Sequence, residues 1–257
     1  MENKRKFSPA LSIPSAAGSD TCTNASGFFQ AAHRRADKSD AGCYTTSFRF
    51  LVKYKAHTSL QRAPTAPAYR WEKLGFVTFH PSFRYFTIFC LDLRDDTQAG
   101  IRRLFMEGEP STSETHLFSA HILILNYILE SFDRAVWSWR DVVRELEKSR
   151  LQRKYATVQE FDQMHEISRH LIHSTEMLST ALSVIECMTK ECELTICKTG
   201  DQASSVCLKE LQFVSSLMKA LQHRSNALEK RMENEIALVS TSNYFHITRN
   251  CDSLRRT

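Results

Sequence analysis

Apolar residues follow two different rules along this chain. Before residue 93 they alternate or gather in short runs. Beyond residue 115 they recur at spacings of three and four. In SFRFLVKY (47–54), Phe48, Phe50, Val52 and Tyr54 alternate with Arg49 and Lys53. A period of two built from aromatic and β-branched residues predicts a strand. Two further strand-like runs, LGFVTFH and FRYFTIFCLDL, lie between Trp71 and Leu93, with a turn expected near Pro81 and Ser82. The second run is apolar on both faces through Tyr85, Phe86, Ile88, Phe89 and Leu91, the pattern of a buried strand. Asp95, Asp96 and Gly100 close it, and Ile101–Met106 reads as a short helical turn.

Three long helices follow. In the stretch from Thr115 to Arg150, residues Phe118, Ile122, Leu125, Leu129, Phe132, Val136, Trp139, Val143 and Leu146 form one seam, because side chains three and four apart share a helix face. Loop and N-cap chemistry from Pro110 to Thr115 precedes it. A second helix, Val158 to Leu194, carries Met164, Ile167, Leu171, Ser174, Leu178, Ala181, Ile185, Met188 and Cys192. The small Ser174 and Ala181 leave room for a bulky partner such as Trp139. After a polar loop at 198–205, a third helix from Val206 to about Val239 presents Leu211, Val214, Met218, Leu221, Ser225, Leu228, Met232 and Val239. The expected fold is α+β and mostly α: a small N-terminal β-containing region, then a coiled-coil-like bundle of three long helices. The divisions fall at 1–45 (a basic, disordered tail), 46–110 (the β-containing region), 111–240 (the helical bundle) and 241–257 (an irregular tail).

Composition sharpens this division. All six prolines lie at or before Pro110, and beyond it the only glycine is Gly200, so helix breakers are nearly absent from the second half. Residues 1–70 hold eleven Lys and Arg against four Asp and Glu, whereas 71–257 are close to neutral. The basic segment, with Arg34, Arg35 and Lys38, lacks a long basic run or interleaved aromatics; a solvated tail is preferred over nucleic-acid binding. Eight cysteines contain no C-x-x-C pair and follow no framework spacing, which points to a reducing compartment. Prolines and serines interrupt any signal-peptide core near Lys4–Lys6; a mitochondrial transit peptide is the alternative at this acid-poor start. No window approaches about 18 uninterrupted apolar residues, so no transmembrane segment is expected and the location is read as cytoplasmic.

Candidate chemistry is sparse. Glu166, His170 and His173 are spaced four and three apart on one stripe of the second helix, a conceivable metal site that falls short of H-E-x-x-H. The preferred reading is a hydrophilic flank whose histidines are exposed or hydrogen-bonded, and His116 and His121 are read the same way. Asp95 and Asp96 after a strand resemble a metal-binding carboxylate pair, but aspartates at a strand-to-loop step usually just cap a turn, which is the preferred reading. Trp139 lies on the seam and reads as core. Trp137, beside Arg140, lies off it, facing a neighbouring helix or forming a cation–π clamp. Phosphate-binding glycine loops and nucleophile motifs are missing, so catalysis is not expected, and the one cofactor left open is Mg²⁺ or another divalent cation.

Three stretches carry a family likeness: WEKLGFVTFH with FTIFCLDL; HILILNYILESFDRAVWSWRDVVRELEKSR; and FDQMHEISRHLIHSTEMLSTALSVIE with LQFVSSLMKALQHRSNALEKRMENEIALV. Over residues 70 to 239 the chain resembles the CorA-like metal-ion transporter proteins of fungi. The resemblance implies a cytosolic domain of strands and long helices, whose last helix leads into the first of two C-terminal spans. It also implies a pentamer that conducts Mg²⁺ or another divalent cation past a Gly-Met-Asn motif, with regulatory cytosolic carboxylates. The tail STSNYFHITRNCDSLRRT supplies neither span nor motif. The expectation is therefore a truncated or stand-alone cytosolic relative that lacks the pore, associated with a membrane only if full-length relatives carry the spans. A homo-oligomer or a partner helix would cover its seam; the alternative is a helical interaction or scaffold module with no transport role.

Overall fold

The structure is a computed structural model that describes residues 26–34, 43–56, 69–82, 85–107, 117–152, 157–199 and 202–254. Expectations for Arg35 and Lys38, the N-cap segment at 110–115 and His116 lie outside the described residues.

Four strands form an antiparallel meander in the order β1 (Phe28–Arg34), β2 (Cys43–Lys55), β3 (Tyr69–Ser82) and β4 (Tyr85–Leu91). β2 and β3 pair along their whole length, from Tyr44 opposite His80 to Lys55 opposite Tyr69. The period-two reading of 47–54 thus identifies the middle of β2, which buries Tyr44, Thr46, Phe48, Phe50, Val52 and Tyr54 on one face. Three expectations need correction. Residues 28–34, assigned from composition to a disordered tail, pair with β2 from Phe28 opposite Arg49 to Arg34 opposite Cys43. Backbone pairing to a strong neighbour compensates for the segment's weak apolar signal. Pro81 and Ser82, near which a turn is expected, are themselves the last residues of β3, whose pairing with β4 passes an irregularity between Phe79 and Ser82. The run read as a buried strand is β4, at the sheet's edge, where Phe86, Ile88, Phe89 and Leu91 are half-buried and Thr87 and Cys90 exposed. Its double-sided apolarity has a local use: Phe86 packs against His80 on β3 and Phe105 beyond the strand.

Helix α1 (Asp95–Glu107) is longer than the single turn expected, and its Asp95 and Asp96 lie in the first turn, where carboxylates complement the helix dipole. Gly100 lets it approach the next helix closely; an added Cβ would lie 2.7 Å from the ring of Tyr127. The long helices are α2 (Ser119–Gln152), α3 (Val158–Thr199) and α4 (Gln202–Leu254). At ~1.5 Å per residue they span about 50, 63 and 80 Å. The polar segment at 198–205 contributes to the ends of α3 and α4, and the C-terminal stretch expected to be irregular continues α4 to Leu254. Thr157 opens α3 with a capping box: its hydroxyl accepts from Glu160 N–H at 3.2 Å while Glu160 accepts from Thr157 N–H at 2.8 Å.

Contacts fix the directions. Along β2 from Tyr44 to Lys53, α2 advances from Phe118 to Trp139, whereas α3 retreats from Glu191 to His173. Nine strand steps and about twenty helical residues cover similar lengths, roughly 30 Å, so both helices track the strand. α4 runs parallel to α2, with Cys207 beside Ser119 and Glu235 beside Arg150, and antiparallel to α3, with Ser225 bonded to Thr175. The result is α+β and mostly α. Sheet and helices share one core in which Phe48, Phe50, Phe76, Phe118, Phe132 and Trp139 are fully enclosed.

Candidate functional site

Charged and imidazole groups converge at the end of β2. Strand alternation puts Lys53 on the face opposite Val52 and Tyr54, in register with Trp71 of β3 and near Tyr69. Lys53 is nevertheless only 3% exposed, because these rings and α3 close over it. Its ammonium lies 4.4 Å from the centre of the Tyr69 ring and 4.7 Å from that of Trp71, and 2.9 Å from His173 Nδ1. The Lys53 carbonyl accepts from Trp139 Nε1–H at 3.2 Å. His170 lies between rings, 4.5 Å from Tyr69 and 5.1 Å from Trp139 by centroids. The site therefore joins β2, β3, α2 and α3.

Its electrostatics follow from burial. Desolvation pulls Lys53 down to about 8, against the opposing pull of Glu176. Burial likewise lowers His170 to about 4, with Lys53 and His173 adding repulsion, and lowers His173 through burial and then Lys53. An aromatic box around an ammonium stabilises the cation that burial disfavours.

A second imidazole centre lies at the other end of β2. His121 is fully buried; its Nε2 is 2.6 Å from the Thr46 hydroxyl, itself 2.6 Å from Thr78, and its Nδ1 is 3.2 Å from the Leu117 carbonyl. His80 stacks parallel to it at 6.4 Å. Tyr44 donates to Glu191 at 3.4 Å, and burial followed by that carboxylate raises its phenol pKa. This cluster ties sheet to helices through the bonded side chains of Thr46, Thr78 and His121 and through Tyr44 with Glu191.

The metal candidates separate. His170 and His173 face the sheet, where the Lys53 ammonium lies against His173. Glu166 instead pairs with Arg169 on the same helix. Asp96 accepts from Thr97 N–H at 3.0 Å and from Arg94 at 3.2 Å, and Asp95 lies beside it on α1. Among the described residues no group of three or more His, Cys, Asp and Glu is placed to hold a metal ion. The histidine pair is accordingly read as part of the lysine site. Trp139 is core, as its place on the seam implies, yet its neighbours are His170 and the Lys53 carbonyl. Trp137 is flanked by Arg140 at 4.4 Å and by Arg224 of α4 at 4.3 Å. Sequence reasoning missed Lys53, which period two placed with Arg49 on the polar face of the strand and which nothing in the sequence marked as covered.

One depression of the described surface, of about 120 Å³, lies against Phe28, Ser47, Gly75 and Asp92; that is smaller than the usual range for small-molecule pockets. Another is an open groove of about 470 Å³ between α3 and α4, lined by Glu186, Lys190, Glu193 and Lys219.

No family model matches the chain. It is similar to Notoamide biosynthesis cluster protein M′ of Aspergillus versicolor, 28% identical over 149 residues that take in 51% of this chain. The match spans 31% of that protein's length, so the chain corresponds to about a third of it. In three dimensions it is similar to the cytoplasmic domain of ZntB from Vibrio parahaemolyticus, with a TM-score of 0.54 over 90% of this chain and 80% of that one, at 9% identity. The fold is CorA-like, as the sequence resemblance implied. Among the described residues no helix is long and apolar enough to cross a membrane.

Proposed function

We propose that the chain is the cytosolic module of a CorA-like assembly for divalent metal-ion transport, non-catalytic itself, with Mg²⁺ as the leading candidate among the ions. The observation that carries this reading is the ZntB-like fold across nine-tenths of the chain. The form of α4 adds support. In the register that sets Thr175 against Ser225, Val158 at the start of α3 lies level with residue 242, so about twelve further residues of α4 run past the bundle. That is ~18 Å of helix projecting where the CorA-like plan has its stalk. On this reading the membrane-crossing part is supplied by polypeptide other than residues 1–257.

A cation that binds the native state raises its melting temperature in proportion to the logarithm of ligand concentration. Thermal unfolding of the full chain in Mg²⁺, Zn²⁺ and matched ionic strength of Na⁺ is the test. Stabilisation by millimolar or lower divalent ion, beyond the Na⁺ control, is expected. Identical curves in all three salts would remove the ion from the reading and leave a helical interaction module. The exposed apolar residues of α4, Val206, Phe213, Leu217 and Leu238, are compatible with that second reading as well as with a homo-oligomer.

A further inference from the structure

An ammonium carries donors only, so the 2.9 Å contact between Lys53 and His173 requires Nδ1 to be the acceptor, with the imidazole neutral. His170 is also constrained. It is 5% exposed, held between two tilted rings, and its buried Nδ1 has no hydrogen-bond partner. We propose that Lys53, His170 and His173 form a proton-operated latch, which holds β2 and β3 against α3 while both imidazoles are neutral and releases that junction on acidification.

The argument is steric and electrostatic. A proton on His173 Nδ1 sets two donors against each other at hydrogen-bond distance, and a proton on His170 Nδ1 buries an N–H with no acceptor. The facing charges come from two elements: Lys53 on β2, and Arg169 and Glu176 on α3. Tyr69 and Trp71 of β3 and Trp139 of α2 contribute rings. Glu176 opposes the effect, and Arg169 is itself engaged by Glu166. The downward shifts of both histidines agree with this balance. Because the folded pKa is depressed, the contribution of His170 is present above about 6.5 and is lost as pH falls towards 4. The latch rests on this geometry alone and is independent of the transport reading.

Hydrogen exchange of the full chain, read by mass spectrometry at pH 7.5 and 5 and corrected for intrinsic rates, tests it. Peptides covering 69–73 and 166–176 are expected to open about tenfold more at pH 5, the effect of roughly one pK unit. A control peptide within 211–228 of α4 should not change. His173→Gln keeps an acceptor for Lys53 without titrating, and His170→Phe keeps the stacked ring; the double variant should lose the response. Lys53→Met removes the donor that a protonated His173 would face and should shrink the acid-induced opening of both peptides. Absence of local opening in the wild type, or a double variant that responds like it, overturns the latch. Should the double variant lose its helical circular dichroism, Lys53→Met decides, and a ratio of opening at pH 5 to pH 7.5 unchanged from the wild type overturns the proposal.

Discussion

Lys53 holds a charge in a place that burial alone would fill with an apolar side chain. Its pKa of about 8, against 10.5 for a free lysine, makes the unfolded chain the better proton binder between those values. The sign follows: this residue's contribution to stability is present above about 10.5 and is lost as pH falls towards 8. Lys53→Met removes that dependence. The gap in melting temperature between variant and wild type should therefore narrow as pH rises from 8 to 10, with the variant favoured at the lower end. A gap independent of pH would show that the ammonium is effectively solvated. Residue-scale legibility divides along the same line. Trp139 could be placed in the core from its seam position, because helical period reports burial directly. Lys53 could not, since alternation identifies a second face and says nothing of what covers it. The cover comes from Tyr69, Trp71 and His173, brought together by tertiary contacts.

Between elements, polar pairs set the register of apolar faces that could otherwise slide. Arg150 bonds Glu235 at 2.5 and 3.2 Å, and Arg231 bonds Glu147 at 2.8 and 2.5 Å, so two forked pairs link α2 to α4. The Glu235 side chain is only 8% exposed, whereas the other three members are partly exposed, which puts the Arg150 pair above the usual worth of a surface bridge. Glu235→Gln is expected to cost about 1 kcal/mol in denaturant unfolding, and a double-mutant cycle with Arg150→Ala should recover most of it as coupling. Additive single effects would show that the pair is incidental. The helices themselves were legible because three-four spacing persists over many turns without proline. The strand errors have equally local causes. β1 has little apolar period and depends on its backbone pairing with β2, and β4 is apolar on both sides while lying at an edge. Past Val239 the seam ends although the helix does not, because backbone helicity needs no apolar partner. The metal-like stripe divides for a related reason: residues sharing a helix face need not share neighbours, and Glu166 pairs locally while His173 meets Lys53.

For the whole molecule, the inward seam of α4 is used within the chain, and a second apolar series on the same helix is left outside. Val206 and Phe213 are each 59% exposed, Leu217 37% and Leu238 50%. The first three are seven and four residues apart, a spacing that keeps them on one face. Covering such a series is what the proposed CorA-like assembly would require, and a second copy of this chain is the partner that the family plan implies. Light scattering on the full chain at tens of micromolar should then give a mass well above the 29.6 kDa of one copy, with five times that value for a pentamer. Phe213→Glu with Leu217→Glu adds charge at exposed sites without touching the core. The double variant should run as a monomer with unchanged helix content, since burying those carboxylates at an interface would be costly. A wild-type chain that is monomeric at every concentration would shift the reading to a different partner helix. A double variant that still assembles would place the interface elsewhere, because two glutamates at the centre of an apolar contact are incompatible with its formation.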